Sequence, residues 1–201
     1  MSYLQQYGFL GSFKLLINLI KTKIFYHNVR LIRSPIDIRN KKYIDFGENL
    51  TTGIGCRIET FPQTVIANKL LKFGKNVQLN DYVHITAAHS VEIGNNVLMA
   101  SKIYISDCTH GCYIGNEGDS DPMSLPVDRP LSMKAVKIED NVWLGEFVSV
   151  LPGVTIGKGT IVGANSVVSK SLPPYVIAVG SPAKPIKFYN FESKRWEKYV
   201  N

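Results

Sequence analysis

The sequence predicts an all-β fold: a parallel β-helix of about five triangular coils, with an N-terminal helical arm, one long excursion loop and a short C-terminal helix. Three observations predict it. From Ile138 the chain reads IEDNVW, LGEFVS, VLPGVT, IGKGTI, VGANSV and VSKSLP, six six-residue units over 138–173 without a gap. The same phase recurs upstream with interruptions, and Gly, Asn, Asp or Pro recur between the aliphatic positions. Neither the 3.6-residue period of a helix nor the plain alternation of a strand produces a period of six. A coil with three flat sides does, and the short spacing argues against a propeller or sandwich, whose strand signals fall roughly 8–12 residues apart.

Residues 1–45 are assigned to the arm. With 201 residues, 45% of them hydrophobic, the chain suits one domain with a sizeable core. Within the arm, Gln5 to Tyr26 reads as one or two helices, because Leu10, Phe13, Ile17, Ile20 and Ile24 form an apolar stripe beside basic positions. The apolar run from Phe9 to Ile20 is broken by Ser12, Lys14 and Asn18, which makes it too short and too polar to span a bilayer. No small-residue cleavage site follows it, so the expectation is a cytoplasmic protein. Residues 1–43 hold eight Lys or Arg against Asp37 alone, an excess equal to the whole formal charge of +7. Charge confined to one arm suits peripheral association with the inner face of a membrane, or a phosphorylated acceptor, and nucleic acid is not expected as a partner. Cys56, Cys108 and Cys112 are odd in number and lack the spacing of a zinc or redox motif, so neither a disulfide framework nor a metal is expected.

The β-helix is expected over 46–186. Ile138, Leu144, Val150, Ile156, Val162 and Val168 hold the first position of each unit, and Val142, Val148, Val154, Thr160, Ser166 and Leu172 the fifth. Three units close one triangular coil, in which the first-position side chains point inward and stack on the next coil. Gly and Asn then supply the positive-φ corners. Traced backward, Ile93, Met99 and Ile105 form one coil, Phe73, Leu79 and Ile85 another, and Phe46, Thr52 and Ile58 a poorer third.

Between Ile105 and Ile138 the phase is lost for 33 residues, about 27 more than one unit uses. The segment 111–136, with Gly115, Gly118, Pro122, Pro126 and Pro130, reads as an irregular loop, and loops of this size are often functional. His110 stands at its mouth, at an expected outward turn position, with Asp107 three residues before it. An imidazole there suits a general base, and Asp107 is expected to hold its other ring nitrogen. His84, with Asn80, Asp81 and Tyr82 nearby, is expected to face the same cleft as the acceptor side. His27 and His89 read as structural or surface residues. At the end of the chain, residues 187–201 are assigned to a closing helix, centred on Phe191 to Val200, that caps the solenoid.

The run NVWLGEFVSVLPGVTIGKGTIVGANSVVSKSLPP, the following AVGSPAKPIK and the upstream YISDCTHG resemble the hexapeptide-repeat acyltransferases. NDYVHI, RPL before the last repeat block and the tail FYNFESKRWEKY are similar to the branch that O-acetylates O-antigen and related surface polysaccharides. That resemblance covers nearly the whole chain. It implies a left-handed coil, a homotrimer with active sites at its seams, acetyl-CoA as donor and a sugar hydroxyl as acceptor, with His110 aligned on the catalytic histidine. It further implies that Gly145 and Glu146 line the thioester end, with the Glu146 N–H on the oxyanion, and that Trp143 walls the acetyl pocket. Gly163 and Ala164 would admit the pantetheine arm, Ser169, Lys170 and Lys184 would meet the nucleotide phosphates, and Pro182 would flank the adenine. One departure is visible: many members of that branch carry a second histidine where this chain has Cys108. A covalent role for Cys108 is not expected, since repeat enzymes of this kind need no acyl-enzyme. Two other readings keep the fold, namely a sugar N-acetyltransferase and a non-catalytic or zinc-binding scaffold.

Overall fold

The computed structural model describes residues 3–63 and 68–200. Short parallel strands stack into three sheets, visited in turn by the winding chain. Sheet I holds Ile36–Arg39, Cys56–Thr60, His84–Ala87, Tyr104–Ser106, Ser149–Val150 and Val167–Val168. Sheet II holds Ile44–Asp45, Leu71–Phe73, Val91–Ile93, Val136–Ile138 and Thr155–Ile156. Sheet III begins with Gln78–Leu79, Leu98–Met99, Trp143–Leu144, Ile161–Val162 and Val176–Gly180.

The six-residue phase is visible in the register. Ile138 sits between Ile93 and Ile156, Leu144 between Met99 and Val162, and Val150 between Ile105 and Val168. All of these side chains are buried, as are the fifth-position residues Val142, Val148, Val154, Thr160, Ser166 and Leu172. Each coil thus adds aliphatic side chains to one continuous core, every one worth about 1.5–3 kcal/mol by removal from water. Asn49, Asn76, Asn96 and Asn141 take the left-handed conformation at one corner, and their side-chain amides bond in a ladder at 3.0–3.3 Å. At another corner the left-handed residues are Gly55, Tyr82, Lys102, Phe147 and Asn165, so that corner uses glycine in its first coil alone.

Three expectations require correction. First, the solenoid starts before residue 46: Ile36–Arg39 pairs in parallel with Cys56–Thr60 as the first of six rungs in sheet I, one more than the five coils expected. Second, Cys108–His110 is a strand, antiparallel to Leu131–Met133, so the excursion leaves the coils as a two-stranded arm and only 111–130 is loop. Third, 187–201 contains no helix among its described residues. Ala183–Asn190 turns back antiparallel on Val176–Gly180, and Arg195–Lys198 adds outside it. An open solenoid end presents unpaired backbone groups, and strands satisfy them where a helix would not. Cross-strand contact of Tyr189 with Trp196, at 5.3 Å between ring centroids, and the Asn190 side chain accepting from the N–H groups of Glu192 and Ser193 fix the hairpin.

The expected arm helix is present as α1, Tyr3–Phe25, in two pieces joined at Gly8 with φ 65°. It is tied to the first coil by Thr22, whose hydroxyl accepts from the Ile32 N–H at 2.9 Å.

Candidate active site

Sheet I carries a polar outer face. Its inward residues Ile58, Ile85 and Ile105 alternate with outward Arg57, Glu59, His84, Thr86, Tyr104 and Ser106, as strand geometry requires. Glu59 is the centre of this face. It is 2% exposed, yet its carboxylate accepts from Arg57 Nε at 2.8 Å and Thr86 Oγ1 at 3.0 Å, and stands 3.0 Å from His84 Nε2 and 3.4 Å from Arg39 Nη1. Burial alone pushes the Glu59 carboxyl up, but the hydrogen bonds from His84, Arg57 and Thr86 together outweigh it and leave the group below its ordinary value. The sequence reading missed Glu59, Arg57, Arg39 and Thr86. Charged residues at alternate positions of a strand, as in Arg57-Ile58-Glu59, are the only signal that marks them.

Past Ser106 the chain turns the corner from sheet I towards sheet II, and there the arm departs. Asp107 is fully buried, and its two carboxylate oxygens accept the backbone N–H groups of Ala88, His89 and Ser90 at 2.7–2.8 Å. It therefore clamps the arm to the preceding coil, and the expected contact with the His110 ring is absent. His110 itself is exposed, at the end of a strand instead of a free turn. Its carbonyl accepts the Tyr113 hydroxyl at 2.8 Å, and that hydroxyl accepts from Arg129 Nη1 at 2.8 Å. The other guanidinium donors of Arg129 reach Ser124 Oγ and the carbonyls of Pro122 and Ser124, so one side chain organises the loop. Cys108 Sγ lies 3.6 Å from Ser106 Oγ. Burial, with the nearby charges of Asp107 and Glu59, pushes its thiol up against the opposing Ser106 contact, the wrong direction for a nucleophile.

The four expected acceptor residues are separated. His84 joins the Glu59 cluster. Asn80 and Asp81 instead line a groove of about 630 Å³ between α1 and the first strands of sheet III, together with Tyr7, Leu15, Leu19 and Arg33. The Asp81 side chain accepts from the Ile54 N–H at 2.9 Å, a corner-fixing role. Tyr82 is 54% exposed at that corner, and its ring lies against Gly55, where any Cβ would collide with it at 2.4 Å.

The expected donor residues fall mostly on one edge, the corner between sheets III and I. Gly145 donates to the Val162 carbonyl at 2.8 Å and Gly163 to that of Ala178 at 2.9 Å, so these turns stack one coil apart. A Cβ on Gly145 would stand 2.7 Å from the Ala164 nitrogen, which explains why glycine is needed there. Glu146 and Ala164 are exposed on this column, Trp143 is 48% exposed on the outer face of sheet III, and Pro182 and Lys184 are exposed in the hairpin turn at its end. Ser169 and Lys170 are not on it: they follow Val167–Val168, at the opposite edge of sheet I. His110 is also at that opposite edge. Within one chain, His110 and the Gly145–Glu146 corner are separated by the width of sheet I. Among the described residues, no three His, Cys, Asp or Glu side chains are placed to share a metal ion.

Comparison with known proteins agrees with this construction. The family model described as bacterial transferase hexapeptide, of six repeats, matches residues 135–170. WbbJ of Escherichia coli K12, whose name assigns it to O-acetyl transfer in lipopolysaccharide biosynthesis, is 47% identical over 194 residues, covering 96% of each chain. The galactoside O-acetyltransferase of the same strain is 32% identical over 63% of this chain and 58% of its own. Among solved structures, AntD, an N-acyltransferase from Bacillus cereus in complex with dTDP-4-amino-4,6-dideoxyglucose and coenzyme A, superposes with a TM-score of 0.67 over 87% of this chain and 90% of its own. At 23% identity that likeness speaks for the fold. With a relative at 47% identity over almost its full length, and the repeat block matched by the family model, this chain belongs to the hexapeptide-repeat acyltransferases.

Proposed function

We propose that the protein is an O-acetyltransferase that moves acetyl from acetyl-CoA to a sugar hydroxyl of a surface polysaccharide or its precursor, on a left-handed coil. The observation that carries this reading is the exposed His110, held by its backbone at the base of the arm beside the polar face of sheet I. The near-full-length likeness to WbbJ favours oxygen over nitrogen as the acceptor atom.

In this mechanism the acceptor lies across the Glu59 cluster. His84, Arg57 and Thr86 offer it a directional polar floor. The His110 imidazole takes the hydroxyl proton as the oxygen attacks the thioester carbonyl, forming the C–O bond. The Glu146 N–H, which donates to nothing among the described residues, receives the oxyanion. Collapse of the tetrahedral intermediate breaks the C–S bond, and the imidazolium returns the proton to the departing CoA sulfur. Because His110 and Glu146 stand on opposite edges of sheet I, the complete site takes His110 from one copy and the donor column from the next, in a homotrimer.

Two assays test it. Acetyl-CoA is offered with a hydroxyl-bearing sugar and with its amino counterpart; transfer to the amine alone overturns the O-acetyl reading. His110→Ala should keep its fold and bind CoA while acetyl transfer falls about 10²–10⁴-fold. Turnover near that of the unaltered protein would remove His110 from the mechanism.

A further inference from the structure

The outer face of α1 has no role in the site described above. Beyond Gly8 the helix is continuous, and at about 100° per residue Phe9, Leu10, Phe13, Leu16, Ile20 and Ile24 fall within roughly 120° of arc. These six side chains are 53% to 77% exposed. The opposite side packs on the protein: Thr22 is buried, the Asn18 side chain accepts from the Ser34 N–H at 3.3 Å, and Leu15 and Leu19 face the groove. An ordinary surface helix turns its apolar side inward. This one is anchored by its mixed side and leaves six large apolar residues more than half exposed, with Leu16 at the rim of the groove.

Charge identifies what covers that face. Lys14 and Lys21 flank the apolar arc on one side and Lys23 on the other, and no acidic residue occurs in the helix or anywhere before Asp37. If two copies packed through this face, the lysine rows would meet with no helix carboxylate to pair them. An anionic bilayer supplies both a hydrocarbon layer for the arc and phosphates for the lysines, whose stems reach back to the headgroups. From Phe9 to Ile24 the helix is about 24 Å long at 1.5 Å per residue, and no helix among the described residues is long and apolar enough to cross a membrane. It would lie in the plane of the interface.

We infer that the Phe9–Ile24 face of α1 docks the protein on an anionic lipid surface, with Lys14, Lys21 and Lys23 at headgroup level. The inference is independent of the acceptor and of His110.

The test is flotation of the purified full-length protein with vesicles of phosphatidylglycerol and phosphatidylcholine, and with vesicles of phosphatidylcholine alone. Binding to the anionic vesicles is expected, with much weaker binding to the neutral ones. Lys14→Glu/Lys21→Glu/Lys23→Glu should weaken anionic binding by about 100-fold or more, from roughly 1 kcal/mol per surface lysine. Phe13→Asp/Ile20→Asp should abolish it while leaving solution mass and acetyl transfer to a soluble sugar unchanged. Absence of binding to anionic vesicles, binding indifferent to both variants, or a change in solution mass with Phe13→Asp/Ile20→Asp would each overturn the inference; the last would mark the face as a contact between copies.

Discussion

Asp107 and His110 lie three residues apart and do unrelated work. Asp107 is spent on three backbone N–H groups of the preceding coil, and its neighbour in function is the chain segment 88–90. Sequence proximity suggested a carboxylate–imidazole pair because spacing says nothing about which way a side chain leaves a corner. The carboxylate that does meet an imidazole is Glu59, 25 positions before His84 and one coil away. Its depressed carboxyl gives a pH prediction. The stabilisation is fully present above the ordinary value of 4.5 and is lost as pH falls through the lower folded value. Glu59→Gln removes the buried charge that the half-exposed guanidiniums of Arg57 and Arg39 share, a change worth roughly 1 kcal/mol, or about 2–4 °C in Tm for a chain of this size. Thermal melts from pH 7 down to pH 3 should therefore show a deficit for Glu59→Gln at neutral pH that narrows in acid. A deficit constant with pH would mean that the Glu59 charge is not what holds the cluster.

The elements differ in how plainly the chain announces them. The repeat block 138–173 was readable to the residue, since each first-position side chain has one inward place to go and the register leaves it there. The first coil was not, because Ile38, which pairs with Ile58, lies eight residues before Phe46 instead of six, and the rung at Ile36–Arg39 shows itself only by pairing with Cys56–Thr60. The tail FYNFESKRWEKY was misread because its aromatics satisfy helical spacing as well as strand alternation, and the open edge of sheet III decides between them. The excursion shows in the sequence as a loss of phase, but nothing there marks its two paired strands or the contacts of Arg129 and Tyr113 at its base. Tyr113→Phe removes the hydroxyl that bonds the His110 carbonyl, and Arg129→Ala removes four donor contacts across the loop. Each should lower kcat, Tyr113→Phe by about fivefold from the loss of roughly 1 kcal/mol of positioning, with little change in Tm because the arm lies outside the core. Unchanged kcat in both variants would show that His110 is held by the Cys108–His110 strand pairing alone.

At the scale of the whole molecule, the proposed mechanism makes one chain half of two sites. Sheet I separates His110 from the Gly145–Glu146 and Gly163–Ala164 column, and nothing in the fold bends that sheet to bring its edges together. In the proposed homotrimer, the edge that carries the arm of one copy would meet the donor edge of the next, and threefold closure would make three such seams. This arrangement has a consequence that a single-chain site cannot imitate. His110→Ala lacks the base but keeps its donor column, whereas Ala164→Trp, at an exposed position, keeps the base and fills the groove where the pantetheine arm would pass. Each variant alone should be nearly inactive. Co-expressed and purified as mixed trimers by two different tags, they should regain activity, because a seam with His110 from the second variant and the column from the first contains both working halves. Mixed trimers with no more activity than either parent would place base and donor in the same chain, and the width of sheet I would then have to be crossed by the arm itself.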